Sequence, residues 1–150
     1  MFVTTIRTLV HAQWETVWEL LRDRAENPQR YQSLILSSKV IDRSSYGIIR
    51  EVKMQDMVIR ERISLDDKEK TVHSELLEHP LYSGTIDTRL FPTATQNPMA
   101  PLYLEFGLKL ELKTDHLEGT VKPEEVMVAA LKEESELIRK KAEELEKSVL

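Results

Sequence analysis

The sequence predicts an α+β fold: a curved, seven-stranded antiparallel sheet around one long C-terminal helix, with two short helices after the first strand. Three observations predict it. The run from Lys122 to Leu150 has no glycine, and its only proline, Pro123, stands near its start. Apolar residues in that run recur at helical spacing, at Met127, Leu131, Ile138, Ala142, Leu145 and Val149. Through the middle of the chain the apolar period is two instead, in successive runs separated by short turns, which implies a meander rather than crossover units.

Taken in order, Phe2 to Leu9 is rich in β-branched and apolar types and reads as the first strand. Its inward face is open, because Phe2 and Ile6 fit one parity and Val3 and Leu9 the other. Trp14 to Arg24 reads as a helix, since Trp14, Val17, Trp18 and Leu21 form a single apolar stripe. Pro28 stops that helix and can begin a second short one, Pro28 to Leu34. Strands are then predicted over Leu36 to Arg43, Tyr46 to Gln55, Met57 to Leu65, Lys70 to Glu78, Gly84 to Phe91 and Leu102 to Leu112. Ser44-Ser45, Gln55-Asp56, Asp66-Asp67-Lys68, Pro80 and the prolines at 92, 98 and 101 mark the breaks. The last strand alternates most cleanly, with Leu102, Leu104, Phe106, Leu108, Leu110 and Leu112 on one face. The final helix should run for roughly 25 residues, on the order of 38 Å. Glu124 and Glu125 suit its positive end, and Glu136 and Glu143 each precede a lysine by four positions.

The bulk numbers bound the function. One hundred and fifty residues, 41% apolar and 31% charged, suit one folded domain over 1–150. A net charge of −5 with interspersed signs gives no basic patch for nucleic acid. There is no cysteine, which excludes disulfides and thiolate chemistry. Neither a signal peptide nor a run of about 18 apolar residues is present, so a cytoplasmic protein without membrane insertion is expected. The histidines His11, His73, His79 and His116 show no metal spacing, and four glycines leave no phosphate loop, so no metal and no cofactor are expected.

Several segments carry a family likeness: Trp18 to Leu21, Glu26-Asn27-Pro28, Arg50-Glu51-Val52, the run from Val58 to Ile63, Gly84-Thr85-Ile86 and Leu104-Glu105-Phe106. With these the chain resembles the START/Bet v 1-like (SRPBCC) superfamily, and within it the AtaL-like group. Thr88 departs from the pattern, standing where that group usually has an asparagine, and the loop from Pro92 to Pro101 is unusually proline-rich. The resemblance implies a helix-grip fold with a mostly apolar cavity between sheet and C-terminal helix. The superfamily includes lipid and hormone binders, polyketide aromatases and cyclases, and co-chaperones. AtaL-like proteins also occur in fungal secondary-metabolite gene clusters.

The sharpest constellation is Arg50 with Glu61. If Gln55-Asp56 is a two-residue hairpin turn, Arg50 faces Glu61, Val52 faces Ile59 and Ile48 faces Ile63, all on one largely apolar face. One arginine and one carboxylate then share the cavity wall. They form either a catalytic pair, with Arg50 holding a ligand oxygen and Glu61 acting as acid or base, or a satisfied buried ion pair. Ser74 and Thr88 fall on the apolar parity of their strands, as ligand donors or as hydroxyls bonded within the core. Trp18 and Tyr31 lie on the short helices that should close one end of the cavity, Trp18 as core or wall and Tyr31 as a mouth residue. Val52, Ile59, Leu104, Phe106, Met127 and Leu131 complete the expected lining, and the inner stripe of the last helix reads as wholly apolar.

Three functions follow. The first is a cavity protein that binds a small hydrophobic molecule and transforms it without a cofactor, as a cyclase, isomerase or dehydratase of polyketide- or terpenoid-type secondary metabolism. The second is a carrier with the same cavity and no chemistry. The third is a surface interaction module like the co-chaperone relatives. Oligomeric state is left open by the sequence.

Overall fold

A computed structural model describes residues 1–94, 100–113 and 123–148. The centre of the proline-rich loop, His116, and the two ends of the C-terminal run, Lys122 and Val149 with Leu150, lie outside the described residues. The strands are β1 (Phe2–Val10), β2 (Ile35–Ser44), β3 (Gly47–Met54), β4 (Val58–Asp66), β5 (Thr71–Glu78), β6 (Tyr82–Pro92) and β7 (Leu102–Leu112). The helices are α1 (Trp14–Glu26) and α2 (Pro123–Ser148). The strands form one antiparallel sheet of seven in the order β1-β7-β6-β5-β4-β3-β2. This is the α+β helix-grip arrangement. The first strand pairs with the last, so β1 and β2 lie on opposite edges, and α1 makes the crossing between them.

Burial settles the parity of β1: Ile6 and Val10 are buried while Val3 and Leu9 are exposed. Pairing Ile6 with Phe106 and Thr4 with Leu108 places them on the inner face of β7. Helix α1 ends before Asn27 because the residue preceding Pro28 is pushed out of helical geometry; the Asn27 amide still reaches the Asp23 carbonyl at 2.7 Å. The second short helix is smaller than Pro28 to Leu34. It is a single 3-10 turn, Pro28–Arg30, because the chain must already be extended at Ile35 to enter β2.

Edge strand β2 breaks the alternation that its sequence suggests. Its register with β3 slips between Ile35 and Ser37 and between Val40 and Asp42, so Leu36 and Ile41 are bulged and exposed. Bulges on an edge discourage further strand pairing.

Helix α2 is stitched to α1 and its flanks by its own carboxylates. Glu146 accepts from the Gln13 amide at 2.8 Å and the Thr16 hydroxyl at 2.8 Å, which caps α1 from outside. Glu143 accepts from the His11 amide and from Arg139, and Glu136 also pairs with Arg139, in place of the lysine pairs that the spacing suggests. Glu133 accepts from the Ser33 amide and hydroxyl. No helix among the described residues is long and apolar enough to cross a membrane.

Gly84 opens β6 with φ of 128°, and a Cβ there would lie 2.1 Å from the Lys109 carbonyl oxygen. At Gly107 the nearest atom to such a Cβ is 3.8 Å away. Gly84→Ala should therefore destabilise by several kcal/mol and Gly107→Ala by less than about 1 kcal/mol in urea denaturation. Equal costs would mean that the β6–β7 approach is looser than described.

Candidate functional site

A cavity of about 290 Å³ lies between the inner face of β3, β4, β5 and β6 and the first half of α2. Val52, Ile59, Ile86, Met127 and Leu131 supply much of its apolar wall. Leu34 and Val126 line it while roughly half exposed, which marks the opening between the start of β2 and α2. Met54 and Met57, flanking the β3–β4 turn, line it as well.

The register expected for the hairpin is present. Arg50 pairs with Glu61, Val52 with Ile59 and Ile48 with Ile63. The Arg50 guanidinium donates through Nη2 to both Glu61 oxygens at 3.3 Å, and through Nη1 to the Arg24 and Ala25 carbonyls at 2.9 Å each. These carbonyls lie in the last turn of α1, where backbone acceptors lack helical partners and positive charge is favoured. Arg50 therefore caps a helix and pairs a carboxylate at once. The Ser74 hydroxyl donates to Glu61 at 2.7 Å. Burial alone would push the Glu61 carboxyl up, but the Arg50 charge, the Ser74 bond and the Arg24 charge hold it below 4.5. At neutral pH Glu61 is an ionised acceptor, and it has no proton to give.

A second buried pair was hidden from the sequence. Arg24 donates to Glu134 through Nε at 3.0 Å and Nη2 at 3.4 Å, with both side chains under 10% exposed. The same guanidinium stacks over Phe106, 4.9 Å from the ring centre. The inner stripe of α2 is thus not wholly apolar, as Glu134 and Ser135 are each 2% exposed. A signal was available. The apolar stripes of α1 and α2 each have a slot filled by a charge, Arg24 after Leu21 and Glu134 after Leu131, and the charges are opposite.

His79 was also missed. The β4–β5 register slips between Arg60 and Glu61, leaving Leu77 as an extra residue. That bulge reverses the parity of β5, so His79 turns inward although His73 and Glu75, of the same parity, face out. His79 lines the cavity, and its Nδ1 accepts from the Leu81 and Tyr82 amides at 3.0 and 3.1 Å. The ring proton of the neutral form therefore sits on Nε2. Burial pushes the His79 pKa below 6.5, against the attraction of Glu61 and with the help of Lys113.

Tyr82 lines the cavity 2% exposed, and burial pushes its phenol up to about 12. Among the described residues the buried side-chain polar atoms without a partner are Gln32 Oε1, Arg50 Nε and the Tyr82 hydroxyl. All three residues line this cavity.

Of the residues predicted from sequence, Arg50, Glu61, Val52, Ile59, Met127 and Leu131 are brought together here. Ser74 and Thr88 instead line a separate void of about 20 Å³ behind the Arg50–Glu61 pair, room for one water molecule. Trp18, Tyr31, Leu104 and Phe106 are not in the lining. Trp18 is 1% exposed, and its indole N–H donates to Asp67 at 2.8 Å. Tyr31 is fully buried rather than at a mouth: its hydroxyl donates to Asp23 at 2.7 Å and Lys141 lies 4.2 Å over its ring. Leu104 and Phe106 are 0% exposed and belong to the main packed core. No cluster with metal-ligating chemistry is found among the described residues.

Comparisons with known proteins bear on the family and the fold. The family model for AtaL, described as acetylaranotin biosynthesis cluster protein L, matches residues 7–144. The chain belongs to the AtaL family. Among solved structures it is similar to the protein XoxI from Bacillus cereus, with 19% identity, a TM-score of 0.68 and coverage of 97% of this chain and 99% of that one. It is also similar to a START superfamily protein from Mycobacterium smegmatis, with 15% identity, a TM-score of 0.72 and coverage of 95% and 98%. At these identities the AtaL-family chain shares their fold, and the likeness says nothing of a common ligand. No curated protein matches the sequence.

Two predictions follow from the buried charges. Glu134→Gln strands the Arg24 charge and should cost about 3–5 kcal/mol in urea denaturation. Replacing both partners with Arg24→Met and Glu134→Leu should cost less than the single change, and a larger cost would refute the stranded-charge account. The folded-state pKa values of His79 and Glu61 are both depressed, so each stabilises the fold above its unfolded pKa and loses that contribution as pH falls. Stability should start to drop below about pH 6.5 and fall further below about 4.5. His79→Asn, which keeps an acceptor near Nδ1, should flatten the first step alone; an unchanged profile would place that step elsewhere.

Proposed function

We propose that this chain acts as one domain that binds a single small, largely apolar molecule in the cavity between the sheet and α2. The observation that carries the reading is the open volume of about 290 Å³ in a core whose other inward side chains, such as Leu104, Leu108 and Ile138, are 0% exposed. Interiors normally fill such space, because an unfilled volume forfeits packing. An apolar wall with a few convergent polar groups is the usual make-up of a small-molecule site. The family's description, a protein of a biosynthesis cluster, is in keeping with a ligand from secondary metabolism.

The chemistry such a site supports is a cofactor-free rearrangement, a cyclisation, isomerisation or dehydration of a polyketide- or terpenoid-type molecule. Orientation and hydrogen-bond donation would supply the rate. The state of Glu61 favours the carrier side of the reading. Its oxygens are already engaged by Arg50 and Ser74, and its lowered pKa makes it a weak base. His79 offers no free lone pair on Nδ1. The surface-module reading has no comparable observation behind it.

Ala130, 8% exposed, lines the cavity from α2. Ala130→Phe should fill the space beneath the opening and weaken binding of an apolar fluorescent probe at least about tenfold, with a melting temperature close to that of the parent. Undiminished probe binding by the folded variant would contradict a ligand in this cavity.

A further inference from the structure

The polar floor of the cavity is balanced in charge and unbalanced in hydrogen bonds. Two cations, Arg24 and Arg50, face two carboxylates, Glu134 and Glu61, each already joined to its partner. Among the described residues that line the cavity, no formal charge is left over to neutralise a charged ligand. An incoming carboxylate would lose its hydration beside Glu61 and Glu134, and an incoming ammonium would lose its own beside the two guanidinium groups, each unfavourable without a free counter-charge.

The hydrogen-bond inventory points the other way. Arg50 Nε is a buried donor without a partner, and the Tyr82 hydroxyl is a buried donor and acceptor without one. Arg50 is 5% exposed and Tyr82 is 2% exposed. His79 adds a third donor, because its Nδ1 is occupied by two backbone amides and its proton is on Nε2. On the acceptor side stands Gln32 Oε1, also buried and without a partner, in a residue 8% exposed. Buried polar groups in folded proteins are nearly always satisfied, and here the exceptions gather around one space.

We propose that the cavity selects an uncharged carbonyl compound: an apolar body whose carbonyl oxygen is received by two of the three donors on Arg50, Tyr82 and His79, with Gln32 taking a neighbouring O–H or N–H. This rests on the cavity being the ligand site, and it names the class of ligand. A carbonyl oxygen has two lone pairs and no charge, so it can satisfy two donors of the floor without disturbing either ion pair. A hydrocarbon of the same shape fills the wall and leaves the donors unmet.

Three probes of matched size separate the possibilities: 2-acetylnaphthalene, 2-isopropenylnaphthalene and 2-naphthoate, each titrated into the full chain and followed by amide chemical shifts. The ketone should bind at least about tenfold more tightly than the hydrocarbon and than the carboxylate. Equal binding of ketone and hydrocarbon would overturn the carbonyl inference and leave the cavity reading intact. Tightest binding of the naphthoate would overturn the claim that the ligand is uncharged. No binding by any of the three would overturn the cavity reading itself. Tyr82→Phe gives a control independent of the wild-type affinities. Because the hydroxyl has no partner, the variant should melt at the parent temperature or slightly above it, hold the hydrocarbon as before and lose part of its preference for the ketone. A Tyr82→Phe variant that keeps the full preference would remove Tyr82 from the recognition.

Discussion

The position of Arg50 is the constraint on which the rest of the site depends. One guanidinium closes the C-terminal end of α1, pairs Glu61 on the neighbouring strand, and keeps a buried Nε without a partner in a residue that lines the cavity. Without it the last carbonyls of α1 would be buried unmet and Glu61 would be a buried charge with little compensation, both expensive in an apolar interior. Because these demands converge on one side chain, the junction of α1, β3 and β4 is held rigidly. The cavity beside it can remain open without the sheet collapsing onto α2.

A second constraint works from the other side. Helix α2 meets α1 through Arg24 and Glu134, and its outer carboxylates bind the backbone at His11, Gln13 and Ser33. Those contacts hold α2 from Glu133 to Glu146, while Met127 and Leu131 in its first half line the cavity. The long helix is therefore both gripped and held off. Its role is to set the shape of the space, and the polar recognition falls to Arg50, His79 and Tyr82 from the sheet side, with Gln32 at the entry to β2.

Much of this was legible in the sequence because two periods dominate it. Alternation in β7 and the hairpin register of β3 and β4 follow from where Leu, Ile and Val fall, and register alone brought Arg50 opposite Glu61. What escaped was set by irregularities that no local pattern announces. The bulge at Leu77 inverted the parity that hid His79, and the bulges of β2 exposed Leu36 and Ile41. Tyr31 looked like a mouth residue because of its polar tip, yet Asp23, eight positions earlier, already satisfied it. Arg24 and Glu134 were legible only as a pair of oddities in two stripes, since their meeting depends on how α1 crosses α2. Leu104 and Phe106 were assigned to the correct face but not to the correct end of it: they belong to the packed core, and the cavity lies toward β3 and β4.

The central claim, that this chain holds a small uncharged molecule between sheet and helix, is tested most directly by native mass spectrometry of protein purified from its source organism. The account predicts a species heavier than the 17.5 kDa chain by one small molecule, which is released on unfolding and carries a carbonyl group. A bare chain, or a chain found only with a protein partner, would contradict it and move the function to the surface.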